Sequence, residues 1–423
     1  MASSDRFARA ILDGIRILSF GAFVAGNTCP LSLAELGADV VKIESRERPE
    51  ALRAYFSPDH PDIYEPSGIQ TTALFSGLTR SMRSLCLEMK TDTGQKAFRD
   101  LVTKCDVVVE NFGPGQMDRW GCSFADLLRS NQELVMLSIS GYGRTGPRSS
   151  YRAYASNINN FLGLSSAWAP DGTHFDYVAG IHGAVAILGG LAEAQKSKRG
   201  VYIDLAQTES GAAVMAPLYL DALGNGEPWR AQPNEVPGAL LSIVARCLGD
   251  DAWVAIELED EADWEVICAT LARPDLSIRG RSVTPDDQEQ LRGAIARWAS
   301  GVRPYQAANK LQLAGIASCP VQDSEDLWRD PQLRSRGAIV EVAHPDVGVV
   351  ELPNSPDRMS LTPGSVRRRG PRLGEHSIEV VRQWLNRTPE EIRLLISDGG
   401  IWQAKGEEAE EDEFQVGAES KSS

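Results

Sequence analysis

The chain is 423 residues long, enough for two domains, and 42% hydrophobic with 24% charged residues, the balance of a globular protein with a sizeable core. A formal net charge of −15 argues against nucleic acid and anionic membrane surfaces as partners. Seven scattered cysteines without a CxxC pair, an N-terminus without an apolar signal core, and no run near the roughly 18 apolar residues of a bilayer span predict a cytoplasmic protein with reduced thiols.

In chain order, residues 12–44 read as a β-α-β unit. A strand over 15–20 is followed by the turn Gly21-Ala-Phe-Val-Ala-Gly26, a helix that ends at Gly37, and a second strand over 39–44. A dinucleotide site with Glu44 on a ribose is the obvious enzymatic guess, but Gly21 and Gly26 do not make GxGxxG. Strands follow at 84–89, 106–111 and 134–139, separated by helical periodicity over 94–105 and 123–130. The β-branched run at 106–111 suits a strand covered on both faces. This alternation predicts a mostly parallel sheet with right-handed crossovers and ligands at the C-terminal strand ends, in the loops at 21–26, 45–53, 111–115 and 140–146.

Residues 178–195 are small and apolar, as expected of a buried helix, and Asp176 stands at or near its cap, where free backbone N–H groups would lower its pKa. A strand at 201–205 and a small-residue helix at 209–223 complete the first part. The composition then changes. An antiparallel hairpin over 240–244 and 253–258, with helices near 264–271, 288–299 and 305–314, reads as a separate α+β domain. Short strands over 339–352 and an amphipathic helix at 377–385 follow Asp330-Pro331. The expected boundaries are 1–223 and 331–400 for a large domain built from both chain ends, 224–330 for the small one, and 401–423 for an acidic disordered tail.

Several segments together resemble the class III CoA-transferase family, which includes formyl-CoA and carnitine CoA-transferases and α-methylacyl-CoA racemase. They are Leu12-Asp-Gly-Ile-Arg-Ile-Leu18, Ala34-Glu-Leu-Gly-Ala-Asp-Val-Val-Lys-Ile-Glu44, Arg83-Ser-Leu-Cys-Leu-Glu-Met-Lys90, Asp106-Val-Val-Val-Glu-Asn-Phe-Gly-Pro-Gly115, Leu137-Ser-Ile-Ser-Gly-Tyr-Gly-Arg-Thr-Gly-Pro147, Asp330-Pro-Gln-Leu333 and Gly374-Glu-His376. Their order over residues 12–400 makes the resemblance specific. It implies a Rossmann-like large domain, a smaller inserted domain and an interlocked dimer. It also implies acyl-CoA:carboxylate CoA transfer, with coenzyme A arriving as acyl-CoA and a carboxylic acid as acceptor.

By the same resemblance, Asp176 is the nucleophile that displaces CoA thiolate to form a mixed anhydride, chemistry that requires no metal. CoA contacts fall on Ala22, Phe23, Val24 and Ala25 after the first strand, on Arg46, on Asn111 and Phe112, and on Arg119. A solvated surface role stays open for both arginines, and a turn role for Asn111. Val24 and Met82 stand where formyl-CoA transferases commonly have Gln and Lys, and no Gly-rich loop is evident near 232–238. With Phe23 these suggest an apolar acyl pocket and an acid larger or less polar than oxalate. Ser156 and Asn157 occupy the place of a racemase His, and His182 reads as a packing residue. A racemase or CoA isomerase, or a non-catalytic subunit of a heteromer in place of a homodimer, are the alternatives.

Overall fold

The computed structural model describes residues 10–53, 72–167, 172–226, 238–345 and 348–403, with Asn234 and Val236. The chain divides into two compact units, one of residues 1–165, 169–228 and 337–423 and one of residues 166–168 and 229–336.

The first unit begins with β1 (Arg16–Ser19), α1 (Phe23–Glu35) and β2 (Asp39–Glu44). The chain leaves α1 through Gly37 at φ +110°, where an added Cβ would lie 2.2 Å from Ala10 Cβ, so only glycine fits. Next come α2 (Ala73–Thr79), β3 (Arg83–Leu87), α3 (Asp92–Val102) and β4 (Val107–Glu110). Thr91 caps α3 by accepting the Gly94 N–H, and Ala97, Phe98, Leu101 and Val102 form its buried stripe. The short α4 (Gln116–Arg119) and α5 (Phe124–Leu128) lead into β5 (Val135–Ser140). Then follow α6 (Ala155–Phe161), α7 (Leu164–Ala167), α8 (His174–Ser197), β6 (Val201–Ala206) and α9 (Gln207–Asn225).

The six strands are parallel, in the order β3-β2-β1-β4-β5-β6. Every residue of β3 and β4 is buried, which is why Leu85–Leu87 and Val107–Val109 are apolar without alternation. The longest helix, α8, is apolar enough by length and composition to cross a bilayer. Its glycines explain that composition differently. Gly180 lies against Thr28 of α1, Gly183 against Leu137 and Cys29, and Gly190 against Val135, so small residues let the helix approach α1 and the sheet closely.

The second unit holds a three-stranded antiparallel sheet of β7 (Leu241–Arg246), β8 (Trp253–Leu258) and β9 (Ala317–Val321), with β8 central. The hairpin β7–β8 was legible as such; β9 was not, because it is an edge strand interrupted by Pro320 with little buried surface. Three helices, α10 (Glu261–Thr270), α11 (Pro285–Ala299) and α12 (Pro304–Leu313), complete its core around Trp264, whose Nε1 donates to the Leu276 carbonyl at 2.9 Å. The short α13 (Ser324–Arg329) and α14 (Pro331–Ser335) end it.

The chain then adds to the first unit an antiparallel ribbon, β10 (Ile339–His344) with β11 (Gly348–Pro353), and the helices α15 (Ser377–Leu385) and α16 (Pro389–Ser397). A two-residue β12 (Ile401–Trp402) joins the sheet antiparallel to β3. Too short to show a period, it escapes sequence reading although residues 401–403 are placed and lie within the expected disordered tail.

Candidate active site

Strand order reverses between β1 and β4, so the loops leaving their C-terminal ends diverge and open a crevice. The two loops are tied together there. Ala22 N–H donates to Asn111 Oδ1 at 2.9 Å, and Asn111 Nδ2 donates to the Ala22 carbonyl at 2.8 Å. A Cβ on Gly26 would lie 2.7 Å from that amide, and one on Gly21 would lie 1.9 Å from the Gly26 carbonyl oxygen. These glycines therefore close the turn on itself.

Beneath the turn lies a buried polar cluster that sequence reading missed. Lys42, 1% exposed, forms an ion pair with Glu50 and donates to the Gly21 carbonyl and, at 2.9 Å, to Asn27 Oδ1. Glu50 Oε1 accepts from Phe23 N–H and from Asn27 Nδ2, each at 2.7 Å. The cluster holds Phe23, a residue 41% exposed, at φ +56°, a left-handed conformation unusual for an aromatic residue. The only available signal was Lys42 itself, a charge between the apolar residues Val41 and Ile43 in the middle of a strand.

Val24 and Ala25 begin α1 with buried side chains; Val24 packs on Leu52, Phe75 and Leu78. Met82 is fully buried in the sheet core. The expected apolar pocket of Val24, Phe23 and Met82 is thus corrected, because two of the three are core residues. Phe112 is half-buried, its ring 5.5 Å from Phe20 and 5.2 Å from Trp120. Arg46 is exposed, with its guanidinium over Trp402 at 5.1 Å. Arg119 is exposed and donates to Gln116 at 2.5 Å. Glu44, the residue of the dinucleotide guess, is buried and bound by Arg53 at 2.8 and 2.7 Å and Ser84 at 2.8 Å, so no ribose can use it.

Asp176 lies inside α8, in its first turn, with Thr173 at the cap. The expectation of a cap with a lowered pKa is overturned. Burial of the half-covered carboxylate outweighs a side-chain hydrogen bond and pushes it up to about 6. That bond comes from Gln207, the first residue of α9, whose Nε2 donates to Asp176 Oδ1 at 2.6 Å. Gln207 lies 31 positions away, and nothing in the sequence marks it. The N-termini of α1 and α8 both stand over the C-terminal edge of the sheet, since α1 leaves the end of β1, and α8 runs back to the start of β6 with Asp176 bonded to Gln207 just past that strand's end. The close contact of Gly180 with Thr28 sets Asp176, one turn earlier, toward the start of α1.

His182 is exposed on α8, correcting the packing role expected of it; His174 is exposed as well, as are Ser156 and Asn157 on α6. Of the Gly-rich loop region near 232–238, residues 232, 233, 235 and 237 lie outside the described residues.

A family model described as CoA-transferase family III matches residues 12–377. Among curated proteins, the chain is 28% identical to the succinyl-CoA–L-malate CoA-transferase beta subunit of Chloroflexus aurantiacus, covering 91% of this chain and 97% of the relative. It is also 28% identical to the formyl-CoA:oxalate CoA-transferase of Rhodopseudomonas palustris, over 92% of this chain and 97% of that one. A crystal structure of a CAIB/BAIF family protein from Brucella suis superposes with a TM-score of 0.78 at 24% identity, covering 89% of this chain and 100% of that one. The likeness in fold and the match along most of the chain agree: this protein is a transferase belonging to CoA-transferase family III.

Proposed function

We propose that the enzyme transfers CoA from an acyl-CoA to a carboxylic acid, with Asp176 as nucleophile. The carrying observation is a half-buried carboxylate in the first turn of α8, held by one neutral donor and, among the described residues, by no cation. Burial without a counter-charge leaves an ionised Asp176 weakly solvated above about pH 6, which favours attack. Oδ2 attacks the thioester carbonyl carbon, the C–S bond breaks, and thiolate departs with the electron pair, leaving a mixed anhydride. Thiolate then attacks Cγ; the Cγ–Oδ2 bond breaks and the donor leaves as a carboxylate, so Asp176 becomes a CoA thioester. The acceptor carboxylate reverses both steps. No redox change and no net proton are involved.

The residues around the crevice fit an anionic nucleotide thioester. Exposed Arg46 and Arg119 would meet phosphates, and Ala22, Phe23, Val24 and Ala25 would line the pantetheine path with backbone, with Phe112 beside it. Asn111 would act chiefly by fixing Ala22, since both ends of its amide are engaged there. We place the enzyme in the cytoplasm, a reading supported by seven free cysteines. We read it as a homodimer, because α8 exposes an apolar row, Tyr177 at 42%, Ile181 at 49%, Val185 at 65% and Leu188 at 38%. Curated relatives bear both subunit and single-protein names, so mass in solution after expression alone is the check.

The test of the reaction is intact-protein mass spectrometry after brief incubation with succinyl-, isobutyryl-, benzoyl- and formyl-CoA, with and without hydroxylamine. A hydroxamate mapped to Asp176, absent in Asp176→Ala, is expected. Exchange of the α-hydrogen without any adduct would turn the assignment to racemization.

A further inference from the structure

The mechanism above gives Asp176 two oxygens with different duties, and the structure distinguishes them. Oδ1 receives Gln207 Nε2 at 2.6 Å, and among the described residues no other hydrogen bond reaches the carboxylate. Gln207 is itself closely fixed. It is 7% exposed and follows directly on Ala206, whose register with Ser140 is set by the sheet. Its neighbour Thr208 donates its N–H to the Gly141 carbonyl at 3.0 Å. One turn on, Gly211 lets Leu162 and Phe175 close over the helix; a Cβ there would lie 2.2 Å from Leu162 and 2.9 Å from Phe175. Phe175 precedes Asp176, so the same packing sets donor and acceptor.

Resting on the assignment of Asp176 as nucleophile, we infer that Gln207 is the positioning residue of the reaction. Its amide N–H holds Oδ1 and leaves Oδ2 to attack. It then remains on Oδ1, the oxygen that takes up negative charge when thiolate or the acceptor carboxylate adds to Cγ. A donor already in place at that oxygen stabilises each tetrahedral species without reorganisation. A glutamine suits this duty better than a cation, which would hold the carboxylate too strongly to let it act as nucleophile.

The titratable and charged groups on elements packed against α8 are Cys29 on α1 and Glu35 at its far end, Tyr202 and Asp204 on β6, and Glu209, Tyr219 and Asp221 on α9, with His174, Tyr177, His182, Glu193 and Lys196 on α8 itself. None of these moves the Asp176 titration; burial and the Gln207 bond alone do. Removing the donor must therefore show in that titration.

The experiment compares wild type with Gln207→Leu and Gln207→Glu. The titration of Asp176 is read, without any acyl-CoA, from the pH dependence of its carbodiimide coupling to glycinamide, mapped by peptide mass spectrometry. The midpoint is expected to rise by about one pH unit in Gln207→Leu, the scale of a lost hydrogen bond to a charged group, and further in Gln207→Glu. Turnover of the acyl-CoA that labels Asp176 should fall ~10²-fold in kcat with KM nearly unchanged. An unchanged midpoint, or wild-type kcat, in a variant with a wild-type thermal transition overturns the inference; a merely structural role would lower the transition and leave the midpoint in place. If Gln207→Leu does not fold, Gln207→Glu carries the same two readouts. Wild-type turnover in Asp176→Asn would instead refute the nucleophile, while the coupling midpoints still report whether Gln207 governs Asp176.

Discussion

Asp176→Asn should make the protein more stable while abolishing its transfer activity. Burial raises the carboxyl from its ordinary 3.8 to about 6 against the opposing Gln207 bond, a displacement equivalent to ~3 kcal/mol. Part of the side chain still meets water, so about 1–3 kcal/mol is the expected gain. The sign follows from proton linkage. Below pH 3.8 both folded and unfolded chains carry the proton, and the substitution is neutral. Between 3.8 and about 6 the unfolded chain has ionised and the folded protein has not, so wild type loses stability as pH rises. Above about 6 the cost is full. Asparagine has nearly the same shape, cannot ionise, and its carbonyl oxygen can still accept from Gln207. Urea unfolding at pH 5 and pH 8 is the assay, with the difference in midpoints converted at constant m. The advantage of Asp176→Asn should be about half as large at pH 5 as at pH 8. An equal advantage at both values, or none at pH 8, would refute the argument that a desolvated carboxylate sits in this site.

Gly180→Ala places a Cβ 2.4 Å from Thr28 Cβ, which should cost about 1–3 kcal/mol and, by moving Asp176, lower kcat/KM tenfold or more. Thr28→Gly in the same chain should recover part of both losses, a coupling that a double-mutant cycle measures. Asn111→Leu keeps the side-chain size and frees both Ala22 backbone groups; KM for the acyl-CoA should rise and the thermal transition fall by the equivalent of about 1–2 kcal/mol. Six cysteines are buried and Cys319 is exposed, so a chromogenic disulfide should titrate one thiol rapidly in the folded protein and Cys319→Ser should remove it.

The sheet was legible because parallel strands covered on both faces need long apolar runs, and Val107–Val109 of β4 and Val135–Leu137 of β5 supply them without alternation. Helices with a polar face were equally plain: the apolar spacing of α3 and α15 is written in consecutive turns. What escaped were the edge strand β9 and the two-residue β12, which carry little local signal, and also α16, although Thr388 capping with Glu391 and Pro389 at its first position mark a helix start. Asp176 was singled out by its resemblance to a family motif, and its titration was expected with the wrong sign. A cap argument counts only the neighbours of one helix end, whereas the shift arises from the elements packed around it.

The sequence by itself determined that strands and helices alternate, that glycines close the turn after β1, and that a carboxylate heads a small-residue helix, because each is a local pattern of residue types. Tertiary structure alone decided that Gln207 meets Asp176, that Lys42 and Glu50 brace Phe23 from beneath, and that Gly180 serves Thr28. These pairs join residues brought together by the packing of α1, α8 and α9 on one sheet, and such distances are fixed by close packing in the interior, with no counterpart in sequence spacing.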